Sequence, residues 1–219
     1  ATPPLHADIG NLHFLRDCIR LRPCWLAAST HPGEEAIIGE VHFKLAKTYP
    51  NLLTIIAPRH PNRGEEIANL LFRSNLNVAR RSKGEEINDD TNIYLVDTLG
   101  ELGLFFRIAP VSFMGKSLVN QGGQNPLEPA RLGSAVLFGP HMWNFSDIAE
   151  SLLASGAAEL VTDSHTLTVA LNRLLADQKL CQNRGDLGRK IAGSHNDVLQ
   201  RVIEELQPFL KTLRSKCSV

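Results

Sequence analysis

LLTIIAPRHP, residues 52–61, is an unbroken apolar, β-branched run that ends in Pro, Arg, His and Pro. A run of this length without polar alternation fits a strand covered on both faces, as in a parallel sheet. A helical pattern follows near 63–74. The same unit precedes it: CWLAAS (24–29), then a helix from about 33 to 48. Further apolar runs lie downstream at NVARRS (77–82), NIYLVD (92–97), VSFMG (111–115), AVLFGP (135–140) and AELVT (158–162). GELGLFFRI (100–108) reads as a short apolar helix, and two helices close the chain near 164–176 and 179–214. Strand-helix alternation at this spacing predicts an α/β fold with a doubly wound parallel sheet.

The 219 residues are 43% hydrophobic and 21% charged, enough for one large domain. Lys+Arg and Asp+Glu both number 23, so the clustered basic excess of a nucleic-acid binder is missing. The eight histidines show no metal-ligand spacing. Cys18, Cys24, Cys181 and Cys217 form no CxxC pair and read as reduced structural thiols. No apolar run reaches the roughly 18 residues of a bilayer span. ATPPL at the start reads as an interdomain linker, and KGEEINDDT (83–91) as a polar loop tip.

In such sheets ligands bind outside the carboxyl ends of the strands. The residues just beyond the strands are STHPGEE, PRHP, DTLGEL, GKSLVNQGGQNPLEP and GPHMWNF. Arg59, at a strand end, suits a phosphate or carboxylate, with His60 as a second donor. GKS (115–117) is not a P-loop, because Pro110 stands where GxxxxGKS requires glycine. A strand followed by Gly-x-Ser still offers a nest of N–H groups for an anion. Thr30 or Ser29 is expected to cap the next helix, with Glu34 and Glu35 favouring its positive end. Asp97 or Thr98 is the expected cap in DTLGEL; alternatively its backbone frames a flat base. In GGQNPLEPA (122–130), Asn125 suits an N-cap, Pro126 the first helical position and Glu128 the third. Glu128 is then either part of the cap or a carboxylate aimed at a diol such as a ribose.

Taken in order, WLAASTHPGEE, IIAPRHP, VDTLGELG, MGKSLV, GGQNPLEPA and AVLFGPHMWNF resemble the C-terminal half of the 3-deoxy-D-manno-octulosonic acid (Kdo) transferases over nearly the whole chain. The resemblance implies a GT-B glycosyltransferase that moves Kdo from CMP-Kdo to a lipid A precursor at the cytoplasmic face of the Gram-negative inner membrane. It implies a linker remnant at 1–10 and a Rossmann-like donor domain at 11–219. An acceptor domain carrying the general base would lie outside this chain, so the chain alone would be soluble and inactive. No cofactor or metal is implied. By position, Pro58 and Arg59 would contact CMP, and Leu99, Gly100 and Glu101 would frame the cytosine. Gly115, Lys116 and Ser117 would lie near the phosphate or the Kdo carboxylate. Asn125 and Glu128 would hold the end of the motif, with Glu128 on the ribose hydroxyls, and Thr30, His31, His60 and Gln124 would face the donor sugar. Gln124 and Lys116 depart from the family pattern, which has histidine and glycine there. The alternatives are another GT-B transferase or an epimerase using a UDP-sugar, or a non-catalytic nucleotide-binding module.

Overall fold

The computed structural model describes residues 4–194. The seven strands are β1 Cys24–Thr30, β2 Leu53–Pro58, β3 Val78–Arg80, β4 Ile93–Leu95, β5 Val111–Met114, β6 Ala135–Phe138 and β7 Ala158–Leu160. They form one sheet in the order β3-β4-β2-β1-β5-β6-β7, and every pair is parallel. All seven strands read from the sequence are present. Some are shorter than expected; β3 stops at Arg80 because residues 81–83 turn into a 3₁₀ helix.

Helices cover both faces. α1 (Ile9–Ile19), α4 (Leu102–Ile108), α5 (Leu127–Leu132) and α6 (Ser146–Ala154) pack on one core, built around Leu26, Phe105, Phe106 and Phe138. Against the opposite core, around Trp25, Ile56 and Phe113, lie α2 (Glu34–Leu45), α3 (Gly64–Arg73) and α7 (Ser164–Ala176). Residues 178–194 form a further helix, α8; the rest of the expected 179–214 helix lies outside the described residues. Residues of the five inner strands, β1, β2, β4, β5 and β6, are buried throughout, which accounts for their unbroken apolar runs, whereas the edge strands β3 and β7 are partly exposed.

Two helices went unread in the sequence. α1 starts at Ile9, where Asp8 accepts the Asn11 N–H at 2.7 Å. Residues before it run along α4, where the Leu5 carbonyl takes an Arg107 N–H at 2.8 Å. α6 fills the β6–β7 crossover and has no side-chain cap. The 83–91 loop is tied down from within: Arg22 donates to the carbonyls of Leu52, Asn88 and Thr91. Cys18, Cys24 and Cys181 are free thiols, and burial pushes Cys24 up to about 12 and Cys181 up to about 11. Cys217 lies outside the described residues.

Candidate functional site at the carboxyl edge of the sheet

The chain builds β1 to β4 on one side of β1, then crosses to place β5 on the other. The carboxyl ends of β1 and β5 therefore flank the topological switch point, where ligands bind in sheets of this kind.

β1 ends irregularly. Its pairing with β2 passes from Ala28–Ala57 to Thr30–Pro58, so Ser29 is an extra residue, held at φ 55°. The bulge lies against Gly115, where a Cβ would fall 2.7 Å from Thr30 Cα. Thr30 turns inward, fully buried, and donates its hydroxyl to Glu35 Oε1 at 2.9 Å. Arg63 completes that buried pair at 2.9 Å. His31 places Nδ1 3.1 Å from the Ser29 carbonyl and stacks edge-on to His60, centroids 5.8 Å apart. Burial lowers the His31 pKa, and the nearby Lys116 and His60 add to the effect. Neither Ser29 nor Thr30 caps α2; Gly33 does so at φ 98° without a side-chain bond.

The nest expected after β5 forms, but the anion in it belongs to the protein. Glu34, with no solvent access, accepts N–H bonds from Lys116 at 2.7 Å, Ser117 and Leu118 at 3.1 Å each, and His31 at 3.0 Å. Burial pushes its pKa up, and these four donors pull it down. Ser117 is also withdrawn from any ligand: it is buried, donates to the Met114 carbonyl and accepts from Gly139 N–H at 2.7 Å. Lys116 takes φ 64°, the left-handed region that glycine occupies most readily.

The GG turn that follows is tightly enclosed. Gly122 and Gly123 have φ 95° and 75°, and side chains there would strike Trp143, Asn144 and Met142. Gly123 N–H bonds the Lys116 carbonyl at 2.9 Å. Asn125 Oδ1 accepts from Leu127 N–H at 3.1 Å, but the helix begins one residue later than expected: Pro126, not Asn125, holds the cap position with no side-chain bond, and Glu128 is the second helical residue. Glu128 bonds the Asn125 side chain and feels Arg131 and Arg59, while burial, the largest effect, raises its pKa. Arg59 itself is exposed at the end of β2, its N–H bonded to the Thr30 carbonyl at 3.0 Å. Gln124, next to Asn125 in sequence, is half-buried.

Beyond β4, Leu99 is 78% exposed and Gly100 has φ 80°. The Glu101 carboxylate is committed to Arg81 at 2.6 Å and to Thr98, and its pKa is lowered chiefly by Arg81. Its carbonyl accepts from Leu104 N–H at 2.9 Å at the start of α4. Asp97 caps nothing: it holds Ser82 N–H and Oγ at 2.9 and 2.7 Å and Arg80 Nε at 2.9 Å.

The structure thus brings His31, His60 and Lys116, and Arg59, Asn125 and Glu128, to the carboxyl edge of the sheet as neighbours, while Thr30 and Ser117 face inward. Glu34, Arg63 and Arg81 are the supporting residues that motif reading passed over. The doubled carboxylate of GEE at a strand-to-helix turn is the one signal that pointed to Glu34.

No family model matches the chain. It is 38% identical over 191 residues to the 3-deoxy-D-manno-octulosonic acid transferase of Haemophilus influenzae, covering 87% of this chain and 45% of that protein. The Bordetella pertussis protein of the same name is 35% identical, with 86% and 45% covered. The C-terminal CMP-Kdo binding domain of WaaA from Acinetobacter baumannii superposes with a TM-score of 0.78 and 31% identity, over 83% of this chain and 94% of that one. The chain belongs to the Kdo transferase family. It spans a little under half the length of these two Kdo transferases. Its fold is that of the C-terminal half of a GT-B glycosyltransferase. The C-terminal domain of a group 1 glycosyl transferase from Francisella tularensis (TM-score 0.56, 14% identity, 87% and 94% covered) shares that fold alone.

Proposed function

We infer that this chain is the donor-binding half of a Kdo transferase and takes CMP-Kdo at the switch point. The observation that carries this is the likeness to the CMP-Kdo binding domain of WaaA over nearly that whole domain. The arrangement of Arg59 and Glu128 as neighbours supports it, since a dianionic nucleotide-sugar offers both a phosphate for a guanidinium and a diol for a carboxylate.

In this reading Arg59, Lys116 and His60 meet the anionic groups, and Asn125 positions Glu128 on the ribose. The exposed backbone from Leu99 to Glu101 frames the cytosine. His31 and Gln124 border the sugar. Pro58 and Gly115 act by close backbone approach. The nucleotide leaves as the acceptor hydroxyl attacks the anomeric carbon, and preorganised cations stabilise the charge on the departing phosphate. The general base and the lipid A precursor site belong to the part of the protein beyond this chain, and the whole enzyme works at the cytoplasmic face of the inner membrane. No helix among the described residues is long and apolar enough to cross a membrane.

Calorimetric titration of the chain with CMP, UMP and UDP tests this. CMP binds best if the reading holds; a preference for UDP overturns it in favour of a UDP-sugar enzyme.

A further inference from the structure

Glu34 sits where an outside anion would be expected. Its Oε2 accepts from His31 and Lys116 and its Oε1 from Ser117 and Leu118, so one buried side chain closes amides from both loops that flank the switch point. Three of these donors are the amides that an open nest would turn toward a phosphate. With them occupied, Gly115 N–H bonded to the Ala28 carbonyl and the Ser117 hydroxyl committed, the Gly115–Ser117 turn can offer an anion only its Lys116 side chain. The position of that side chain follows from the backbone that Glu34 holds. The link continues, because the Lys116 carbonyl fixes Gly123 N–H at 2.9 Å, and Asn125 and Glu128 follow that turn.

On the donor-binding reading above, we propose that Glu34 is a positioning residue: an internal anion that shapes the β5 loop and the GG turn, so that Lys116, Asn125 and Glu128 meet the nucleotide. It touches no ligand. Its role is to fill a nest that would otherwise be empty or would capture the donor's phosphate in the wrong place.

Chemical rescue tests this. Glu34→Ala leaves four amides facing a space that formate fits. The chain, Glu34→Ala, Glu34→Gln and a core control, Leu171→Val on α7, are titrated with CMP, in formate and in chloride at equal ionic strength. Glu34→Ala should bind CMP about tenfold more weakly in chloride and recover in formate. Glu34→Gln, which turns an amide group toward two of the N–H donors, should bind weakly in both salts. The core control should melt lower yet bind CMP like the wild type, with no response to formate. If Glu34→Ala folds only in formate, CMP affinity regained there supports the role. The role of Glu34 alone is overturned by wild-type CMP affinity in either Glu34 variant. It is equally overturned if formate restores the melting temperature of Glu34→Ala but not its affinity. Failure of the wild-type chain to bind CMP overturns the donor-binding reading and this role with it.

Discussion

Glu128→Ala separates capping from ligand contact. α5 has no side-chain cap to lose, since Pro126 holds the cap position, and the bond from Leu127 N–H to Asn125 Oδ1 does not involve Glu128. What α5 loses is an acidic residue in its first turn, worth about 0.3–1 kcal/mol. Part of that loss is offset, because burial already disfavours the charged carboxylate. The melting temperature should therefore move little. The ligand side is larger: a hydrogen bond to a charged group contributes about 1.5–3 kcal/mol, so CMP affinity should fall by about 10- to 150-fold. Calorimetry and a thermal melt on the same sample read both quantities. Unchanged CMP affinity with a marked drop in melting temperature would refute the diol contact and leave a purely structural residue. A pH series adds a second check. The Glu128 carboxyl titrates above the ordinary carboxylate range, chiefly through burial. Its folded pKa exceeds the unfolded one, so protonation favours the native state, and that contribution is lost as pH rises through the folded value. Binding runs the other way: a protonated carboxyl accepts hydroxyl hydrogen bonds poorly, so CMP affinity should fall on acidification more steeply than in Glu128→Gln.

His42 is buried against Thr54 Oγ1 at 2.9 Å, and burial lowers its pKa from 6.5 to about 4. The unfolded chain takes up that proton first, so about 3 kcal/mol of stability should disappear between pH 6.5 and 4; urea titrations should show a flatter slope in His42→Gln. Gly64→Ala would drive a Cβ to 2.8 Å from Asp97 Cβ and closer still to its carboxylate, disturbing its bonds to Ser82 and Arg80. A loss of about 3 kcal/mol by urea denaturation is expected for a broken, largely buried pair. Lys116→Gly should leave stability within about 1 kcal/mol, relief of the left-handed backbone offsetting the added freedom of the unfolded chain. Its CMP affinity should nonetheless fall and become less sensitive to salt.

The seven strands are legible because a parallel sheet covered on both faces writes continuous apolar runs. α1 and α6 are not, for local reasons. α1 begins inside a stretch that reads as linker, and α6 comes after the aromatic 3₁₀ turn Trp143–Phe145 with no capping side chain to announce it. At the site, Arg59 and His60 stand exposed at the end of β2, and Lys116 is half-buried beyond β5. Inward-facing roles are harder to foresee. Thr30 and Ser117 look like ligand donors in sequence, yet Glu35 on α2 takes the Thr30 hydroxyl, and the Met114 carbonyl and Gly139 N–H take that of Ser117. Glu34 looks like an ordinary first-turn carboxylate, and only its partner amides, more than 80 residues downstream, reveal another duty.

The extra residue in β1 makes length a variable of the site. A bulge absorbs one extra residue between two consecutive pairs, so the strand is back in register at Thr30–Pro58 while the chain around Ser29 is re-aimed. Deleting Ser29 would leave Thr30 paired with Pro58 but would remove the carbonyl that lies 3.1 Å from His31 Nδ1 and re-aim the loop that follows, with no substitution at His31. Gly115 is moulded to the bulge, so such a change would succeed only together with a rearranged β5 loop. In this scaffold, a one-residue change in length at the end of the first strand would alter the displayed chemistry more abruptly than a point substitution, and it would be inherited as a coupled pair of edits rather than one.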